Sequence, residues 1–134
     1  MSEPMQVEVV SADRVVWSGR SSNIIAKTVE GEIGILPGHS PVLAVLEPGG
    51  VEIFSEDGNR EVIAVDGGFI SVSQGRVSIL SEYARMANEI SISEAEKELA
   101  EAQRTMDTGD YEDDDRKHFL RATAQLRAAQ KIQS

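Results

Sequence analysis

Apolar and polar positions follow a short period from residue 5 to about residue 84, and a helical period after that. Residues 6–10 (QVEVV) are β-branched and partly alternating, which predicts a strand with one buried face. Ser11-Ala12-Asp13-Arg14 has turn chemistry and residues 15–17 begin a return strand, so a hairpin opens the chain. Residues 24–26 and 28–29 continue in extended character. Further strands are predicted at 51–54, 61–65, 69–73 and 76–80, separated by turns at residues 55–59, Gly67-Gly68 and Gln74-Gly75. Short strands at roughly eight- to twelve-residue spacing with glycine between them predict an antiparallel sandwich or flattened barrel.

The turn-rich centre of this region is residues 31–46, GEIGILPGHSPVLAVL. Pro37-Gly38 suits a type II turn, since proline fixes φ near −65° and glycine accepts the positive φ that follows. Gly31 and Gly34 bracket Glu32-Ile33 and predict a turn or bulge in place of an uninterrupted strand. Residues 42–46 form an apolar run short enough for a buried strand.

Past residue 88 the period lengthens. Ile92, Ala95, Leu99, Ala102 and Met106 fall on one face of a helix whose start is either a Ser93/Glu96 or a Ser91/Glu94 capping box. Gly109 ends it. A second helix is expected from near Asp110 to about Ile132, with Phe119, Ala122, Leu126 and Ala129 as its stripe. Alanine-rich stripes bury little area per residue, so this hairpin is expected to dock modestly and to be able to exchange partners.

Composition narrows the function. A chain of 134 residues is one domain, or one with an appendage, and buries enough surface to need no staple. It has no cysteine, so no disulfide, thiolate nucleophile or Cys-ligated zinc. The N-terminus has no leader pattern and no apolar run approaches a membrane span, so a membrane link is expected only through a partner. A net charge of −10 speaks against nucleic-acid binding. The charge is unevenly placed: Asp107, Asp110 and the run Glu112-Asp113-Asp114-Asp115 precede Arg116, Lys117, Arg121, Arg127 and Lys131, after which no acid follows. Acids leading and bases trailing complement a helix dipole.

Candidate catalytic groups are sparse. Gly38-His39-Ser40-Pro41-Val42 lacks the second glycine of a nucleophile elbow, and His39 and His118 are isolated, so a hydrolase or zinc site is not expected. The acidic run lacks EF-hand spacing, and Gly31, Gly34 and Gly38 fit neither GxGxxG nor the P-loop. Trp17 is read as a core or inter-sheet anchor.

An ordered set of elements resembles the epsilon subunit of F-type ATP synthases, called delta in mitochondria. It comprises Gly31-Glu32-Ile33-Gly34-Ile35-Leu36-Pro37-Gly38-His39, then Pro41, Pro48-Gly49, Gly67-Gly68-Phe69 (with Asp66 where serine is common), Ser81-Glu82 and Ala124-Gln125-Leu126-Arg127. The resemblance implies an α+β chain: a sandwich of about ten strands over residues 1–85 and a regulatory helical hairpin over 86–134. It implies a non-catalytic central-stalk subunit bound to gamma and to the rotor ring of c subunits, coupling rotation to the alpha/beta hexamer. The implied setting is the cytoplasmic face of a bacterial plasma membrane, reached through the complex. On that basis Glu30, Gly31 and Glu32 are assigned to the ring, and His39, Ser40, Pro41 and Val42 to gamma. Arg116, Arg121 and Arg127 are assigned to a regulatory contact with acidic loops of the catalytic subunits, by which the helices of many bacterial members inhibit hydrolysis. Some members bind ATP through I/L-D-x-x-R-A at the first helix. Here Ser91 replaces the aspartate and Glu94 the arginine, and a carboxylate in place of a phosphate-pairing cation predicts weak or absent ATP binding and no cofactor. The competing reading is a free-standing β-sandwich binding module whose helical hairpin dimerises.

Overall fold

The computed structural model describes residues 3–133. Nine strands precede two helices: β1 (Met5–Val10), β2 (Val15–Thr28), β3 (Gly31–Ile35), β4 (Val42–Val45), β5 (Gly49–Ser55), β6 (Arg60–Val65), β7 (Phe69–Ser73), β8 (Arg76–Leu80) and β9 (Ala84–Met86), then α1 (Ile92–Asp107) and α2 (Asp113–Ile132). Hydrogen bonding orders the strands β4-β7-β8-β1-β2-β5-β6-β9, with β3 paired to β2. The pairs are antiparallel except β1 with β8.

The strands fold over one core because each turns alternate residues inward. Val7 and Val9 of β1, Ile53 of β5, Ile63 and Val65 of β6, Ile70 of β7 and Ile79 of β8 are buried together. β2 carries both layers: its first half pairs with β1, and its second half pairs with β3 and β5. The expected pieces at 15–17 and 24–26 are therefore parts of a single 14-residue strand that ends at Thr28, with Val29 already in the turn. Trp17 packs at the edge of the core, its ring over Gly19.

One local expectation is corrected. Residues 31–35 are a regular strand, with five successive pairs to β2 and no register shift. Gly31, at φ 125°, completes the tight turn at Val29-Glu30, while Gly34 adopts no positive φ. Among the described residues the strands number nine, in keeping with the expected count of about ten. Pro37-Gly38 does form the predicted turn, with Gly38 at φ 87° and the His39 N–H donating to the Leu36 carbonyl at 3.0 Å.

The first helix starts at the Ser91 cap, whose hydroxyl accepts from the Glu94 N–H at 3.4 Å, so the Ser91/Glu94 start is the one adopted. It ends before Gly109, which has φ 74°. The second helix begins at Asp113, later than expected, because Glu112 and Asp115 form a reciprocal capping box. Its buried residues are Ala122, Ala124, Ala128 and Ala129, of which Ala124 and Ala128 pack against the sandwich.

Candidate functional site

Three surfaces carry the residues expected to act. The first is the β2–β3 tip. Thr28 fixes it, its hydroxyl donating to the Gly31 carbonyl at 2.7 Å and accepting from the Glu30 N–H at 3.2 Å. Glu30, Gly31 and Glu32 are exposed side by side on that tip. Lys27, the cross-strand partner of Glu32, leans away to Glu47 at 3.8 Å.

The second surface begins at the turn holding His39, Ser40, Pro41 and Val42. Ser40 and Pro41 are exposed, the His39 Nδ1 lies 2.6 Å from the Ser40 carbonyl, and Val42 starts β4 in a half-buried position. From there β4 leads into an apolar row that the strand periodicities alone did not reveal. Val45 pairs with Phe69, and Phe69 with Leu80; Leu80 pairs with Val10, and Val10 with Val15. Because Ile70 and Ile79 take the core positions, Phe69 and Leu80 point outward, 49% and 50% exposed, beside Val45 at 43% and Leu43 at 70%. Serines 71, 73 and 78 share this face. The row crosses five strands, about 19 Å at normal strand spacing. A contiguous apolar stripe on an outer sheet face is the mark of a docking surface.

The third surface is α2 on the opposite layer. It covers the outward side chains Val62 and Ala64 of β6, with Ala87 beneath the same helix face. Alanine lets the backbones approach: a Cβ added to Gly50 of β5 would stand 3.0 Å from Ala128 Cα. The seam is thus closer than the alanine-rich stripe suggests, and α1 packs along α2 behind it.

The three expected arginines separate. Arg116 is exposed and pairs with Asp113 of its own helix at 2.9 Å. Arg121 reaches Asp66 at 3.5 Å and Glu82 at 3.7 Å, and its guanidinium lies 5.6 Å from the centre of the Tyr83 ring. Arg127 donates to the Pro48 carbonyl at 2.9 Å. Two of the three therefore face the sandwich. Tyr83 is half-buried beneath Arg121; burial pushes its phenol above the usual range, the Arg85 charge offsetting part of the shift. A hydrogen bond from Arg116 holds the Asp113 carboxyl below the usual carboxylate range.

Asp66 is the residue that motif reading left without a role. Its Oδ1 accepts from the Ser81 hydroxyl at 2.8 Å and the Tyr83 N–H at 3.2 Å. Ser91 and Glu94, at the altered nucleotide motif, cap the first helix, with Glu94 exposed in the turn where the dipole favours an acid. Among the described residues no group of three or more His, Cys, Asp or Glu is placed to hold a metal ion, and no helix is long and apolar enough to cross a membrane.

Comparison with known proteins completes the picture. Residues 4–87 match the family model described as ATP synthase, Delta/Epsilon chain, beta-sandwich domain. The chain is 44% identical to an ATP synthase epsilon chain of Cutibacterium acnes, over 95% of this chain and 88% of that one. It is 47% identical to an ATP synthase epsilon chain of Thermobifida fusca, over 96% and 94% of the two chains. Its fold matches a chain in the Euglena gracilis mitochondrial ATP synthase structure containing OSCP, F1 and the c-ring. The TM-score is 0.75 and the identity 24%, over 99% of this chain and 81% of that one.

Proposed function

The chain belongs to the ATP synthase delta/epsilon family, and on that premise we propose how it serves the central stalk of an F-type ATP synthase. It is a non-catalytic adaptor: the sandwich, residues 1–85, binds the gamma shaft and the ring of c subunits and passes rotation toward the alpha/beta hexamer. The β2–β3 tip with Glu30, Gly31 and Glu32 meets the ring. Gamma sits on the His39–Val42 turn and continues along β4 over Leu43, Val45, Phe69 and Leu80. Residues 86–134 regulate, and Arg116, Arg121 and Arg127 restrain hydrolysis when they reach the acidic loops of the catalytic subunits. The complex is membrane-associated, with this subunit on the cytoplasmic face of a bacterial plasma membrane.

The observation that carries this reading is the division of faces. One sheet face is closed by the chain's own helix, while the other exposes an apolar row against which a preformed partner can seat. The test is pull-down of gamma by the full chain, compared with Phe69→Asp and Leu43→Asp. Both variants place a charge on an already exposed position, so the fold is expected to persist while gamma capture falls at least about tenfold. In the assembled complex, removal of the residues after 88 is expected to raise ATP hydrolysis. A folded chain that ignores gamma and forms a stable homodimer would overturn the proposal in favour of a helical dimerisation module.

A further inference from the structure

We propose that the sandwich carries two carboxylate receptors, Asp66 with Glu82 and Glu52 with Arg60, which clamp the basic face of α2. Hairpin docking is thereby strengthened and registered by charge, beside the apolar seam at Gly50 and Ala128. The inference concerns the free chain and stands independently of the central-stalk reading.

The first receptor is built. The Asp66 side chain is 10% exposed, and Ser81 and Tyr83 occupy one of its oxygens, so the other is aimed at Arg121 Nε, 3.5 Å away. Glu82 stands at the rim, 3.7 Å from Arg121 and 3.5 Å from Lys117. The second receptor lies at the far end of the helix. Glu52, with its side chain 12% exposed, pairs with Arg60 through Nε at 3.0 Å and with Lys131 at 3.9 Å. Arg60 also donates to the Lys131 carbonyl at 3.1 Å, in the last turn of α2. Between the two receptors run the close Gly50–Ala128 contact and the Arg127 bond to Pro48.

This arrangement meets a specific electrostatic need. Residues from 116 onward hold Arg116, Lys117, Arg121, Arg127 and Lys131 with no acid, on a chain whose net charge is −10. Docking turns that contrast into attraction. The largely buried Asp66 and Glu52 are screened by salt less than surface pairs, whereas Glu82 at the rim is screened as a surface charge.

Hydrogen exchange of the full chain, read peptide by peptide, tests the clamp. The variants are Asp66→Asn, which keeps the oxygen that Ser81 and Tyr83 address, Arg121→Gln, and the two combined. Asp66→Asn is expected to speed exchange across α2 about tenfold while β1, β2 and β8 keep wild-type protection. The double variant is expected to fall clearly short of the sum of the two single effects, because the Asp66–Arg121 contact is already lost in each. Raising NaCl from about 0.05 M to about 0.5 M is expected to accelerate α2 in the wild-type chain more than in the double variant. Unchanged α2 exchange in Asp66→Asn, additive effects in the double variant, or equal acceleration of the sandwich strands would each overturn the clamp.

Discussion

Replacing Gly50 by alanine isolates the α2 seam from the rest of the fold. The new Cβ would lie 3.0 Å from Ala128 Cα, 3.0 Å from Val62 Cγ1 and 3.3 Å from Ala128 Cβ, all inside the optimum of about 3.5–4.0 Å for carbon pairs. Gly50 has no positive φ, so the backbone itself accepts alanine. Relief requires α2 to recede by about 0.5 Å or more, which forfeits a quarter or more of each dispersion contact along the seam. Ala124 and Ala128, which pack against Val62, Ala64 and Ala87, are fully buried, and their two methyl groups contribute about 1.6 kcal/mol to docking at about 0.8 kcal/mol each. Overpacking costs about 1–3 kcal/mol, so the perturbation is comparable with the whole methyl contribution. Limited trypsin digestion reads the result, since the helix carries Arg121, Arg127 and Lys131. Cleavage within α2 is expected to accelerate about five- to a hundredfold while the sandwich stays intact. Gly49→Ala is the matched control, because its Cβ would meet only Arg127 Cδ, at 3.9 Å. Equal protease resistance in wild type, Gly49→Ala and Gly50→Ala would refute the tight-seam account.

Three further outcomes are expected. Gly68→Ala should unfold the sandwich: at φ 101° its Cβ would fall 2.0 Å from the Leu80 carbonyl, a loss of more than about 4 kcal/mol, and a near-normal denaturant midpoint would contradict this. Tyr83 should titrate above 10.0; because folding favours the neutral phenol, its contribution to stability is complete below that pH and is lost as pH climbs through the raised value. Tyrosinate absorbance, with Tyr83→Phe removing the late component, checks this, and ionisation of that component at or below pH 10.0 would refute it. Calorimetric titration of the full chain with ATP should give a Kd weaker than about 1 mM, since Glu94 presents a carboxylate where a cation would meet phosphate; a tighter value would refute the expectation.

The elements were legible where local chemistry decides them: the Pro37-Gly38 turn, the β7–β8 pair, and the helix stop at Gly109. They were misread where tertiary pairing overrides local signals. Gly31 and Gly34 weaken a strand in isolation, but β2 holds β3 in register through five pairs. The α2 face that docks includes Ala124 and Ala128, while Leu126 stays half-buried, a choice made by close approach to Gly50 and not by hydrophobicity. The apolar row depends on knowing that β8 lies parallel to β1 and that β4 joins β7, long-range pairings no period encodes. Asp66 was noticed only as a departure from serine. Its partners Ser81, Tyr83 and Arg121 lie 15, 17 and 55 residues away, beyond any local motif.

β2 has a mechanical meaning. Fourteen residues of extended chain, about 45 Å, run from the end of the apolar row at Val15 to the acidic tip beside Glu30. Hydrogen-bonded neighbours brace it from end to end, β1 over its first half and β5 and β3 over its second, and it belongs to each layer in turn. A load applied at the tip is therefore borne by a covalent strut all the way to the opposite face, whereas two sheets joined by side chains alone would shear. Stiffness of that kind lets so small a body serve as a rigid washer in a turning machine.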